Sequence, residues 1–530
     1  MKKRYFFSCL VAGATFMSSC TKNFDEINTN PNKTTADLIN PNYFMSQAQI
    51  TFSQTGYDQL LFQSMWTQSL ASTFSYYSNG DKYVLGGSGT GYYNRTWNRA
   101  YSALTLVDEM KNLIKDKPEY TNLDACGSIL RVLFMQRITD LYGDAPYSEE
   151  GLAKSGNFTP KFDKQQDIYN AMLSQLETAI AALDASKAAP TTDLFYKGNI
   201  PQWKRMGYSL MLRLAMRLTK VSPDLAKTWA EKAYAGGTMT SASDDVKVMA
   251  DANNATSSNS DALLVTDDFR EVRWGKTLMD YLKANNDPRI SAIAEITNGN
   301  GKKANEDRTV VGNNAAALQL GLPNGYDLLG GNTDISKAPG YPGATPAADG
   351  TDAPAPLGKY SRPRLRVYDD KGSANFIYTY GESELLLAEA ASRGWNTGVA
   401  ATHFANALAA DMKSLAGYNA TPTAVVSDAD IAIYVAAHPL VAGTALQQIN
   451  TEYWVATSTT FDFNETFANW RRSGFPVLTP VTYQGQYITS QVPRRMPYPI
   501  TLPQQNGANY AAAVSSQGAD NFATRVWWDK

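Results

Sequence analysis

Apolar residues recur at helical spacing along most of this chain. Asn42 to Thr55 and Tyr57 to Ser72 carry the pattern first, with Leu60, Leu61, Met65 and Leu70 among the apolar positions. A long helix is predicted from Trp97, where Tyr101, Leu104, Val107 and Met110 make one stripe. Ser128 to Leu141 is apolar on most sides, the mark of a buried helix. Gln165 to Leu183 is amphipathic. Trp203 to Leu218 places Trp203, Met206, Leu210, Leu214 and Leu218 on one face, and Leu225 to Ala235 follows. Between them Ser222 suits an N-cap and Pro223 the first helical position. Gly236-Gly237 stops the second helix, so the two form a hairpin. A second hairpin is expected downstream, from Glu382 to Arg393 and Val399 to Leu415, turning at Gly394-Trp395. Such pairs suggest tetratricopeptide-type repeats, although a clean period of about 34 residues is missing. The fold class read here is all-α: tetratricopeptide-like hairpins in a curved lobe, with a loop-rich part packed against it.

The pattern fails in three places. Ser72 to Asn94 reads STFSYYSNGDKYVLGGSGTGYYN, rich in Gly, Ser, Asn and Tyr, and is predicted to be a loop. Gly321 to Gly358 holds eight Gly and six Pro in 38 residues, a density that regular helix does not survive. It lies inside a loop-rich insertion at about 250–375, and irregular stretches of such length are functional or disordered. Phe475 to Lys530 carries Pro476, Pro480, Pro493, Pro497, Pro499 and Pro503 and is also expected to be loop-rich.

The first residues have a different logic. Lys2, Lys3 and Arg4 precede an apolar run from Tyr5 to Met17, followed by Ser18, Ser19 and Cys20. A basic end, an apolar core and small residues form a secretory leader, and the core is short for a permanent span. Cys directly after the small residues predicts a bacterial lipoprotein signal over 1–19. Cleavage before Cys20 would place acyl chains such as palmitate on its thiol and new amino group. Each buried methylene is worth about 0.8 kcal/mol, and two or more chains anchor stably. Residues 20–40 then read as a lipidated tether and 41–530 as a single domain.

Composition narrows the function classes. Hydrophobic content of 43% marks a globular protein. The formal charge of −2 falls to −5 once Lys2, Lys3 and Arg4 leave, which argues against nucleic acid as a partner. With Cys9 in the leader and Cys20 lipidated, Cys126 has no partner for an intramolecular disulfide and reads as a core residue. His403 and His438 lack a metal-type pattern, and HExxH, paired CxxC, Walker A and GxSxG motifs are absent. The run from Gly86 to Gly91 misses the GxGxxG spacing. No catalytic residue, metal ligand or cofactor is singled out.

Several stretches together resemble the SusD/RagB family of Bacteroidetes outer-membrane lipoproteins. They are FDEINTNPN (24–32), RITDLYGDAPYSE (137–149), NNDPR (285–289), YGESELLLAEAASRGW (380–395), NETFANWRRSGFP (464–476), PRRMPYPITLPQQN (493–506) and RVWWDK (525–530). The resemblance implies helix pairs of the tetratricopeptide type, with other structure inserted between them. It implies a nutrient-binding, non-enzymatic protein, exposed at the cell surface, that partners a SusC-like TonB-dependent transporter. Asp25 and Glu26 resemble an acidic flank that accompanies surface export. Asp140, Tyr142, Trp470, Arg471, Arg472, Trp527 and Trp528 are expected to pack or fix turns. Family ligand contacts come from variable loops and are not carried over.

Residue chemistry supplies the ligand candidates instead. Flat rings stack on sugar C–H faces while amides and carboxylates take hydroxyls. The expected contacts are Tyr76, Tyr77, Asn79, Asp81 and Tyr83, then Trp274, then Tyr326, Asp327 and Tyr341. The leading expectation is capture of an oligosaccharide; a peptide is the alternative on the same scaffold. A secreted hydrolase and a periplasmic protein-binding scaffold are the competing classes.

Overall fold

A computed structural model of the protein describes residues 39–86, 89–251, 259–264, 271–297, 311–343, 357–368, 370–418 and 425–530. The leader, Cys20 and the Asp25–Glu26 pair lie outside the described residues. The chain divides at Pro41, and Asn42 to Lys530 form one compact unit.

Its first half contains α1 (Asn42–Ser53), α2 (Gly89–Ile114), α3 (Thr121–Tyr142), α4 (Gln165–Ala182), α5 (Ile200–Arg217) and α6 (Pro223–Gly236). Then come α7 (Lys276–Ala284), α8 (Tyr380–Ser392), α9 (Ala400–Ser414), α10 (Asp428–Ala437), α11 (Ala445–Thr459), α12 (Phe463–Ser473) and α13 (Gly507–Gln517). Successive helices pack in pairs, α2 on α3, α5 on α6, α8 on α9 and α11 on α12, while α5 against α8 joins the halves. The fold is all-α, and both expected hairpins are present. Its strands are short and pair antiparallel: β1 (Leu70–Ser72) with β3 (Val272–Trp274), β2 (Val246–Met249) with β6 (Ala374–Tyr378), and β4 (Ala294–Glu295) with β5 (Arg362–Pro363).

Local chemistry starts these helices and burial holds them. Asn199 caps α5 by accepting from the Gln202 N–H, and Pro201 sits in the first turn. Trp203, Met206, Leu210 and Leu214 are fully buried on its inner face, worth roughly 1.5–3 kcal/mol for each such side chain. α8 opens on a capping box, in which Thr379 accepts from the Glu382 N–H and Glu382 accepts from the Thr379 N–H.

The core is also pinned by ions. Arg217 reaches Asp140 at 3.3 Å and pairs with Glu465, while Arg213 binds Glu382 at 2.8 Å. Tyr453 donates to both glutamates, at 3.0 and 2.7 Å. These residues come from α3, α5, α8, α11 and α12. Trp528 donates its indole N–H to Asp140 at 3.0 Å, and the Arg471 guanidinium lies 4.7 Å from a Trp528 ring centre. Trp470, Arg471, Arg472 and Trp528 are buried and Trp527 partly so.

Several expectations are corrected. Tyr57–Ser72 is not one helix: it breaks into Gly56–Leu60, Gln63–Trp66 and β1. Gln68 takes a φ of 56°, and the chain then pairs with β3, a partner no local pattern announces. The stretch predicted as a loop, Ser72–Asn94, contains the turns Ser75–Tyr77 and Ser78–Asp81, and α2 begins at Gly89 rather than Trp97. Ser222 makes no side-chain capping bond. The loop-rich C-terminal part includes α13, whose inner face buries little but Ala513.

Candidate ligand-binding site

A groove of about 460 Å³ opens where α7, the 323–333 loop and the 479–482 segment meet. Its floor is set by backbone. The Gly275 N–H donates to Ser69 O, Lys276 N–H to Leu322 O, and Leu322 N–H to Trp274 O, each at 2.8 Å. A Cβ on Gly275 would stand 2.2 Å from the Gln68 carbonyl oxygen, so only glycine permits this approach. α7 therefore starts at the groove edge and presents Lys276, Thr277 and Asp280 to it. Lys276 and Asp280 pair one turn apart. The Thr277 hydroxyl donates to Gln68 Oε1 at 2.7 Å, and Gln68 Nε2 donates to Thr479 O at 2.5 Å, tying two walls together.

The opposite wall is Pro323, Asn324, Gly325 and Tyr326. Asp81, fully buried, holds it in place. Its carboxylate accepts from Asn324 Nδ2 at 2.7 Å and from the Gly325 N–H at 3.0 Å, balanced by Lys82 at 3.0 Å. Asp327 closes the loop, accepting from Leu329 N–H at 3.0 Å, Thr333 Oγ1 at 3.1 Å and the Tyr483 hydroxyl at 2.5 Å. Burial and the Asp327 charge together push the Tyr483 hydroxyl up to about 12, so it stays a donor at neutral pH.

The sequence candidates separate by burial. Tyr326 lines the groove and is partly exposed. Asp327 supports it from behind, and Tyr341 packs with Tyr326 around a small cluster of Ala71, Leu322, Ile335, Ala338 and Tyr360. Trp274 is fully buried among Phe461 and Tyr368 and donates to Ile293 O at 3.0 Å, so its ring is covered by protein. Tyr77 and Tyr83 are likewise buried, with Tyr83 against Tyr487. Asn79 is buried, its side chain bridging Tyr76 O and the Gly86 N–H. Tyr76 is exposed and hydrogen-bonds Tyr92, outside the groove lining. Direct contact is thus withdrawn for Trp274, Tyr77, Tyr83, Asp81, Asn79 and Asp327, because protein covers each of them.

Sequence reasoning missed Gln68, Lys276, Thr277, Asp280, Asn332, Thr333 and Tyr483. Only the Gly- and Pro-dense composition of 321–358 pointed here, and it located Tyr326. The α7 wall joins the site through a β-type bridge between Gly275 and Leu322, and the 479–482 wall through the Gln68 side chain, neither with a local signal. Among the described residues, no cluster of His, Cys, Asp or Glu could hold a metal ion. No single described helix is long and apolar enough to cross a bilayer.

Residues 31–499 match a protein-family model described as SusD-like, starch-binding associating with outer membrane. Solved structures match across nearly the whole chain. One described as a chitin-binding protein is 31% identical, with a TM-score of 0.78, covering 93% of this chain and 100% of its own. One described as "Bacteroidetes AC2a SusD-like" is 25% identical with a TM-score of 0.78, covering 93% and 100%. A chitin-binding SusD homolog from Flavobacterium johnsoniae, 24% identical, has a TM-score of 0.69 over 92% of this chain and 97% of that one. No curated protein matches.

Proposed function

The chain belongs to the SusD-like family, and on that premise we propose that it captures an oligosaccharide at the outer membrane and passes it to a SusC-like TonB-dependent transporter. Family membership supports a carbohydrate-binding protein of the outer membrane. The observation that carries the reading further is the groove. A partly exposed ring, Tyr326, stands beside the amides Asn324 and Asn332, the hydroxyls of Thr277 and Thr333, and the Lys276–Asp280 pair. That set offers one flat face and both donors and acceptors, which a pyranose chain uses together. A stacked face burying about 50 Å² contributes on the order of 1 kcal/mol. A few such contacts give modest affinity, suited to capture followed by release. The action is binding without turnover. Cys20, outside the described residues, would carry the lipid that holds the groove at the surface.

Calorimetric titration of purified protein with soluble chito- and malto-oligosaccharides tests this. Binding is expected for at least one series, without product formation, and Tyr326→Ala should weaken it by about tenfold. Release of shortened sugars, or wild-type affinity in Tyr326→Ala, would overturn the reading. Co-purification of a TonB-dependent transporter from the native membrane tests the delivery step; its absence under conditions that preserve such complexes counts against that step.

A further inference from the structure

A second cavity, of about 240 Å³, lies between α7, α9, α10 and α11. Its walls are aromatic: Tyr281 from α7, Phe404 from α9 and Tyr434 from α10, the last stacked on His438 with ring centres 4.0 Å apart. Its polar groups are fixed. His438 Nδ1 lies 2.8 Å from Tyr434 O, so that nitrogen donates and Nε2 is left as the acceptor. Glu452 is held by Arg289 at 2.6 Å, and Arg289 is in turn held by Asp287 at 2.5 Å. Tyr281 and His438 are partly exposed at the mouth, with Phe404, Tyr434 and Glu452 buried behind them; a flat face beside an acceptor nitrogen suits a ring that carries hydroxyls.

The geometry points to this cavity as a second subsite for the same glycan chain, an inference that rests on the groove reading above. The link is α7. Leu278, Met279 and Leu282 bury one face of this helix. The opposite face borders the groove through Lys276, Thr277 and Asp280, and borders the second cavity through Tyr281 and Asn285 just beyond the last turn. On a helical wheel these positions adjoin, with exposed Ala284 among them. At about 1.5 Å per residue, Thr277 and Asn285 stand about 12 Å apart along the axis. One sugar ring does not bridge that gap, but a short chain laid over α7 does. The site would then select for length: monomers and dimers occupy the groove alone, and longer chains fill both cavities.

The test is a ladder of chito- and malto-oligosaccharides, from monomer to hexamer, titrated into the wild type, Tyr281→Ala, Gln447→Trp and Tyr326→Ala. Gln447 is an exposed residue of the cavity rim, so Gln447→Trp blocks the mouth without touching the core. Thermal unfolding confirms that each variant is folded. In the wild type, affinity should rise with length and then level off. Tyr281→Ala and Gln447→Trp should weaken the longest chains by about tenfold and leave the shortest binding chain within twofold; Tyr326→Ala should weaken both. Length-independent binding, or unchanged affinity of the longest chain in the two cavity variants, overturns the second subsite and leaves the groove standing. Equal loss for short and long chains in folded cavity variants also overturns it. Absence of glycan binding by the wild type overturns both readings.

Discussion

Asp58 shows what burial does to a single carboxyl. It is 1% exposed, neither carboxylate oxygen accepts a hydrogen bond from a described residue, and Arg99 approaches only to 3.7 Å. Burial raises its carboxyl from an ordinary 3.8 to about 7, against the pull of Arg99, Arg95 and Arg137. The folded state therefore holds this proton more tightly than the unfolded chain does. Below pH 3.8 the group is neutral in both states and costs nothing. The penalty grows between pH 3.8 and about 7 and is complete above it. Asp58→Asn should match the wild type near pH 4 and be the more stable at pH 8. The gain is at most about 4 kcal/mol, at about 1.4 kcal/mol for each pH unit between the two states. Chemical denaturation at pH 4, 6 and 8 reads this, and a gap that shrinks as pH rises would contradict it.

At the scale of elements, Glu389 joins three helices. It accepts from Arg472 at 2.7 and 2.6 Å, from Asn450 at 3.0 Å and from Arg393 at 2.7 Å. Burial opposes its charge, yet Arg472 and Arg393 outweigh that and hold the carboxyl down at about 2. This ion pair stabilises the fold fully above pH 4.5, and its contribution fades as pH falls toward 2. Arg472→Met strands most of that charge between α8 and α12 and should cost about 3–5 kcal/mol at neutral pH. The deficit should narrow at pH 4, where Glu389 can protonate; an equal deficit at both pH values would mean lost packing rather than lost charge. The same elements show what a sequence discloses. Helices α3 to α6, α8 and α9 were legible because apolar stripes and Pro or Gly stops are local signals. β1 was hidden in a helical pattern because its partner β3 lies far along the chain. The groove was half legible: composition marked the loop of Tyr326, but the burial of Trp274 and Tyr83 depends on what folds over them. Aromatic richness alone does not separate a platform from a core.

For the whole molecule, use follows from placement. On the proposed reading, the protein would act by holding a ligand where a transporter can take it. Cys20→Ala should move the protein from the membrane fraction into the soluble fraction without changing glycan affinity; retention in membranes would end the lipid-anchor proposal. The helix pairs form a frame whose charged interior fixes how they stack, so the groove can vary in its loops without disturbing the stack. That division suits a scaffold whose ligand is set by the 323–333 and 479–482 segments and by α7.

The indole of Trp528 completes a hydrogen bond to Asp140 across 388 residues of chain. Synthesis at roughly 5–20 residues per second separates the two by roughly twenty to eighty seconds. During that interval the ions of α3 and α5 have no lid, and the nascent chain has no route to its finished interior. The tryptophan that seals the core thus makes the interior of α3 and α5 depend on a residue far along the chain, so that interior is complete only once both ends of this span have been made.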